Sequence, residues 1–211
     1  MAERRILLTG FEPWADHDWN PAQRLAERLD GWRRGDTRTI GLVLPVARAA
    51  ANATVAAALR DLRPDAVVHL GLAAGRQALT VERWAHNEAD FVVPDNAGAQ
   101  PRNEPLCEDG AWRLPSRLGV AAAVDALRAA GVPAEPSDTA GRFVCNAVLY
   151  GTLDWAGAHG YHGAVGFVHL PAADAVSLAD QERAIERLLR LLAAPPGLAP
   201  VRRSIDVWPG T

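Results

Sequence analysis

Apolar runs and helical stripes alternate along most of the chain. Arg4 to Thr9 is a short apolar run ending at Gly10, the pattern of a buried strand. Asn20-Pro21 places an N-cap before a proline at the first helical position, and Ala22, Leu25, Ala26 and Leu29 form an inward stripe that stops at Gly31. A second strand is predicted over Thr39 to Leu44. An alanine-rich helix follows over Ala47 to Leu62, closed by Pro64, and a third strand over Asp65 to Leu70, left at Gly71. Leu72 to Leu118 reads differently, with β-like stretches at Ala78 to Trp84 and Phe91 to Val93 and turns at Pro94-Asp95-Asn96 and Glu108-Asp109-Gly110. Loops of this length inside a domain usually carry function. Alternation resumes with a helix over Val120 to Ala130, an extended piece at Ala134 to Ser137, a helix over Phe143 to Trp155 and a strand over Ala164 to Leu170. A last amphipathic helix starts at Ser177 with Asp180 three residues on, and Ile185, Leu188, Leu189 and Leu192 make its stripe. The pattern predicts one α/β domain over 1–194, a parallel-rich sheet covered on both faces, and a proline- and glycine-rich tail over 195–211.

Composition narrows the function. With 22 basic and 25 acidic residues the net charge is -3, which argues against a nucleic-acid binder. No apolar run approaches the ~20 residues of a membrane span, and Ile6-Leu7-Leu8 is too short for an export signal, so a cytoplasmic protein is expected. Cys107 and Cys145 are the two cysteines, and in a reducing compartment each is a small buried hydrophobe, a bystander or a nucleophile. His17, His69, His86, His159, His162 and His169 form no H-E-x-x-H or paired-cysteine pattern, so no metal is expected.

Cys145 sits in D-T-A-G-R-F-V-C-N (Asp138 to Asn146), a small-residue turn leading into an apolar helix. Unpaired N–H groups at a helix N-terminus lower a thiol pKa and can hold an oxyanion, so a thiolate nucleophile is one reading and a buried structural cysteine the other. His169 ends an apolar strand, where ligands of open α/β sheets bind, and suits a general base. His69 ends another strand and competes with it. Glu82 would orient an imidazole or, equally, pair with Arg83 on the surface. Phe11 and Trp14 follow the first strand and either wall an apolar slot or plug the core under a loop.

Taken together these segments resemble the pyroglutamyl peptidase I family of cysteine peptidases. The resemblance runs through L-L-T-G-F-E-P-W and Asn20-Pro21, L-P-V at Leu44 to Val46, T-V-E-R at Thr80 to Arg83 and P-D-N-x-G-x-Q-P at Pro94 to Pro101. It continues through E-D-G at Glu108 to Gly110 and D-T-A-G-R-F-V-C-N to F-V-H-L-P at Phe167 to Pro171. It implies a single α/β/α sandwich with a twisted, mostly parallel sheet, no metal or organic cofactor, and often a homotetramer. It further implies removal of an N-terminal pyroglutamyl residue from peptides, with Cys145 as nucleophile, His169 as base then acid, and Glu82 holding the histidine. Phe11, Trp14, Asn20, Leu72, Val93, Phe143 and Val144 are the expected pocket residues. One departure stands out: the familiar bacterial pattern after the third strand is G-Q-A-G-G-R, and here it reads G-L-A-A-G-R, so Leu72 replaces a glutamine that can hydrogen-bond the lactam. The alternative is a catalytically weak relative that binds a cyclic amide or a peptide N-terminus without efficient turnover. An exposed tail contact, Val207-Trp208-Pro209, is expected to serve the oligomer.

Overall fold

The computed structural model describes residues 3–14 and 18–194; the tail from Pro195, with its expected contact at Val207-Trp208-Pro209, lies outside the described residues. In chain order the elements are β1 (Arg4–Phe11), α1 (Pro21–Arg28), β2 (Arg33–Arg34), β3 (Thr37–Leu44), α2 (Arg48–Leu62), β4 (Ala66–Leu72) and β5 (Leu79–Glu82). They continue with β6 (Trp84–His86), β7 (Arg113–Pro115), α3 (Val120–Arg128), β8 (Ala134–Ser137), α4 (Val144–Ala158), β9 (Ala164–Leu170) and α5 (Leu178–Leu192).

Seven strands form one mixed sheet in the order β2-β3-β1-β4-β9-β5-β8. β3, β1, β4 and β9 are mutually parallel, β2 runs antiparallel on one edge, and β5 meets β9 antiparallel before pairing in parallel with β8. β6 and β7 make a separate two-stranded ribbon. Burial on both faces explains why β1 and β4 read as nearly unbroken apolar runs. One face buries Leu25 of α1, Leu127 of α3 and Leu188 of α5; the other buries Val55 of α2 and Leu149 of α4. The result is an α/β/α sandwich with a mostly parallel sheet.

Local chemistry fixes the ends of these elements. Asn20 accepts from the Ala22 N–H ahead of Pro21, and the Ser177 hydroxyl accepts from the Asp180 N–H, so both caps work as their sequences predict. Arg63 ends α2 in the left-handed region (φ 47), and Pro64 prevents continuation. Gly10 is obligatory where α1 crosses β1, because a Cβ there would strike the Ala22 carbonyl. Two expectations change. The β-like stretch Ala78 to Trp84 divides between β5 and β6, and Phe91 to Val93 forms no strand: Phe91 is buried, while Val92 projects to solvent.

Candidate active site

The parallel strands β1, β3, β4 and β9 all deliver their carboxyl ends to one edge of the sheet, where Phe11 pairs with Leu44 and Gly71 with His169. A cavity of about 250 Å³ opens there. Its lining is Phe11, Trp14, Asn20, Val46, Leu72, Ala74, Ala140, Phe143, Val144, Cys145 and His169. Trp14 packs on Phe143 at 4.9 Å and Phe143 on Phe91 at 4.5 Å, so the outer wall is braced by a row of rings. The structure brings the expected residues together with two exceptions. Val93 is 41% exposed on the loop after Phe91 and does not line the cavity, because the chain there bends outward instead of continuing as a strand. Glu82 lies behind His169, out of the cavity.

Val46, Ala74 and Ala140 line the cavity without having been expected to. Each follows a strand end or precedes the α4 head, the places where side chains of an open α/β sheet face a crevice.

Cys145 is the second residue of α4, whose N-cap Phe143 offers no side-chain hydrogen bond. The N–H groups of Val144 and Cys145 are therefore left for the sulfur or for a ligand. Gly71 makes room for that sulfur: a Cβ at Gly71 would lie 3.1 Å from Cys145 Sγ and 2.7 Å from the Phe167 ring. Since Gly71 pairs with His169 across the β4–β9 ladder, the thiol and the imidazole meet over the same pair of strand ends.

Register also explains Glu82. Thr80 lies directly opposite His169 in the antiparallel β5–β9 pair, and Glu82, two residues on, shares its face as the diagonal neighbour. Glu82 is fully buried, and its Oε1 lies 2.8 Å from His169 Nδ1. A carboxylate can only accept, so Nδ1–H donates and Nε2 is left with a free lone pair. Arg83 does not take Glu82 as its partner; it pairs with Asp138 at 2.9 Å. Burial works to raise the Glu82 pKa, but the hydrogen bond and charge of His169, helped by the Ser137 hydroxyl and then by Arg76, outweigh it and hold the carboxylate below its ordinary value.

His69 is a structural residue. Thr152 donates to the Val148 carbonyl at 2.8 Å, so its oxygen accepts from His69 Nε2–H at 3.0 Å, and His69 Nδ1 accepts from the Thr9 hydroxyl at 2.8 Å. Both nitrogens are occupied, and burial pushes the pKa down to about 3.

At rest Cys145 is not the thiolate that one of its two sequence readings allows. The helix N-terminus is present, but burial and the Glu82 charge push the thiol up to about 12 against the pull of its own N–H and of Arg76. Burial lowers His169 below 6.5 despite Glu82. At pH 7 the pair is a neutral thiol beside a neutral imidazole, and a reaction at sulfur requires transfer of its proton to Nε2. The acid limb of kcat/KM and that of Cys145 alkylation by iodoacetamide are therefore expected to coincide below pH 6.5. Alkylation that persisted to about pH 4 while turnover fell would instead report a preformed thiolate–imidazolium pair.

The profile of the pyroglutamyl peptidase family matches residues 4–190. This chain belongs to that family. Its relatives include a pyrrolidone-carboxylate peptidase of Pyrococcus furiosus, 37% identical over 167 residues that span 79% of this chain and 80% of the relative. One from Yersinia pestis (strain Pestoides F) is 37% identical over 168 residues, 80% of this chain and 78% of its own. The solved pyrrolidone carboxyl peptidase of Thermococcus litoralis superposes with a TM-score of 0.85 at 33% identity, covering 89% of this chain and 92% of the other. Among the described residues no group of three or more His, Cys, Asp or Glu is arranged to hold a metal ion, and no helix is long and apolar enough to cross a membrane.

Proposed function

We propose that this member of the family is a cysteine peptidase that releases N-terminal pyroglutamate from peptides in the cytoplasm. The observation that carries the reading is the buried Glu82–His169 hydrogen bond beside Cys145 at the end of a small apolar cavity. A five-membered lactam is compact and largely apolar at its rim, and the walls of Phe11, Trp14, Leu72 and Phe143 suit such a ring. As Sγ attacks the carbonyl carbon of the pyroglutamyl residue, its proton passes to His169 Nε2. The N–H groups at the head of α4 stabilise the oxyanion, and the imidazolium then protonates the leaving amine. Water, deprotonated by the same imidazole, cleaves the thioester and restores the thiol. Assembly as a homotetramer belongs to the same proposal and is carried by the resemblance alone. Hydrolysis of a pyroglutamyl arylamide by the wild type, absent in Cys145→Ser, supports the reading; inert wild-type protein contradicts it and favours the binding-only alternative.

Lactam selection by this cavity rests on main-chain groups. Among the described residues Asn20 is the one amide side chain in the lining, and it already accepts from the Ala22 N–H and donates to the Glu12 carbonyl, so it shapes the loop. Leu72→Gln adds one side-chain donor and acceptor, and KM for the arylamide is expected to fall by the worth of about one hydrogen bond, ~0.5 to 1.5 kcal/mol, with kcat little changed. Activity appearing only in Leu72→Gln would mean that the natural substrate carries a different N-terminal ring.

A further inference from the structure

We propose that Arg76 is a positioning residue for the reaction, clamping the Glu82 carboxylate to His169 and to the turn that feeds the Cys145 helix. The proposal rests on the catalytic reading above.

Arg76 sits in the turn between β4 and β5, where its N–H bonds the Ala73 carbonyl and the chain doubles back. Its Nη1 lies 2.7 Å from Glu82 Oε1, the same oxygen that accepts from His169 Nδ1, and it also contacts the Thr80 hydroxyl. Its Nη2 donates to the Thr139 carbonyl at 3.1 Å. One guanidinium thus joins the strand that carries the acid to the segment six residues ahead of the nucleophile. A planar fork of donors can span these partners at once, and a lysine ammonium cannot.

The electrostatics point the same way. Glu82 is fully buried, and among the described residues its Oε2 has no hydrogen-bond partner. With His169 neutral at rest, Arg76 is the cation that balances the carboxylate. Its side chain is only 28% exposed, which limits screening by solvent. The charged groups acting on His169 are Glu82 from β5 and Arg76 from the turn, and the Cys145 thiol of α4 lines the same cavity. Glu82 favours the imidazolium and Arg76 opposes it. Without Arg76 the buried carboxylate would draw a proton onto the imidazole, and the base would be occupied at pH values where the wild type is active.

The test compares Arg76→Met, Arg76→Lys, Glu82→Gln and the Arg76→Met/Glu82→Gln double variant. It measures kcat, KM, the pH profile of kcat/KM on a pyroglutamyl arylamide, and the pH dependence of Cys145 alkylation. Arg76→Met is expected to lower kcat by about tenfold or more with KM within about threefold, and to move the acid limbs of both profiles to higher pH. Arg76→Lys is expected to return the limbs toward their wild-type position while recovering only part of kcat. In the Glu82→Gln background the methionine substitution should cost clearly less than it does in the wild type, since the charged partner is already gone and only the contacts to Thr80 and Thr139 remain. Wild-type kcat and unmoved limbs in Arg76→Met would overturn the proposal, as would an equal loss in the Glu82→Gln background. If Arg76→Met does not fold, Arg76→Lys decides: undiminished kcat there overturns the clamp. Should the wild type fail to cleave the arylamide, the alkylation profile still reads the clamp, so the two ideas fail separately.

Discussion

Replacing His169 by alanine is expected to lower kcat by roughly 10³ to 10⁴ or more while leaving the fold intact. The size follows from the protonation state of the pair. A preformed thiolate would lose only the later proton donation to the leaving amine, but here burial holds the Cys145 thiol neutral, so the first step also depends on Nε2. Among the described residues no neighbouring base can substitute: His69 is sealed between Thr9 and Thr152 with both nitrogens used. His69→Ala is accordingly expected to cost stability, about 1 to 3 kcal/mol from the Thr9 hydroxyl left without its acceptor, and to spare the chemistry. Steady-state kinetics with a thermal melt on each variant separates the two histidines. Loss of turnover in His69→Ala with a normal melt would transfer the base role to the other strand end.

Glu82→Gln is expected to cost less, about 10² to 10³ in kcat, with little change in KM. The substitution keeps the volume and removes the charge. A glutamine whose amide oxygen takes the place of Oε1 still accepts from Nδ1–H, whereas the flipped amide would set its N–H against both Nδ1 and the Arg76 guanidinium. Arg76 at the same time loses its charged partner, so the cost comes from the missing charge and not from a wrong tautomer. Loss of the carboxylate also removes what keeps the imidazolium intermediate tolerable in a buried site. The kcat ratio at saturating arylamide measures this. A variant as active as wild type would reduce Glu82 to a structural ion pair.

Much of this was visible in the residues, and the exceptions have physical causes. Asn20-Pro21 and Ser177 announce their helix starts because capping is local, and Ala164–Leu170 matches its strand because burial on both faces leaves a continuous apolar run. β2 and β7 escape notice, since two or three residues carry no period. Phe91 to Val93 has strand composition but no ladder to join, so its two valines are released toward solvent. Glu82 beside Arg83 suggests a neighbouring pair, whereas the register of β5 on β9 turns the carboxylate to His169 and the guanidinium of Arg76 to meet it. The Glu82–His169 contact joins residues 87 apart in sequence, and periodicity cannot supply it. The thiol state stays open in the sequence for a similar reason. A helix N-terminus is legible in a sequence, but the burial that overrides it is a property of the assembled cavity.

The most direct test of the central claim is rapid-quench mass spectrometry of the enzyme mixed with a pyroglutamyl arylamide. A pyroglutamyl thioester is expected on the peptide that contains Cys145, formed with a burst of arylamine and lost on further incubation. Arylamine release with no adduct on Cys145, or with equal turnover in Cys145→Ser, would contradict it.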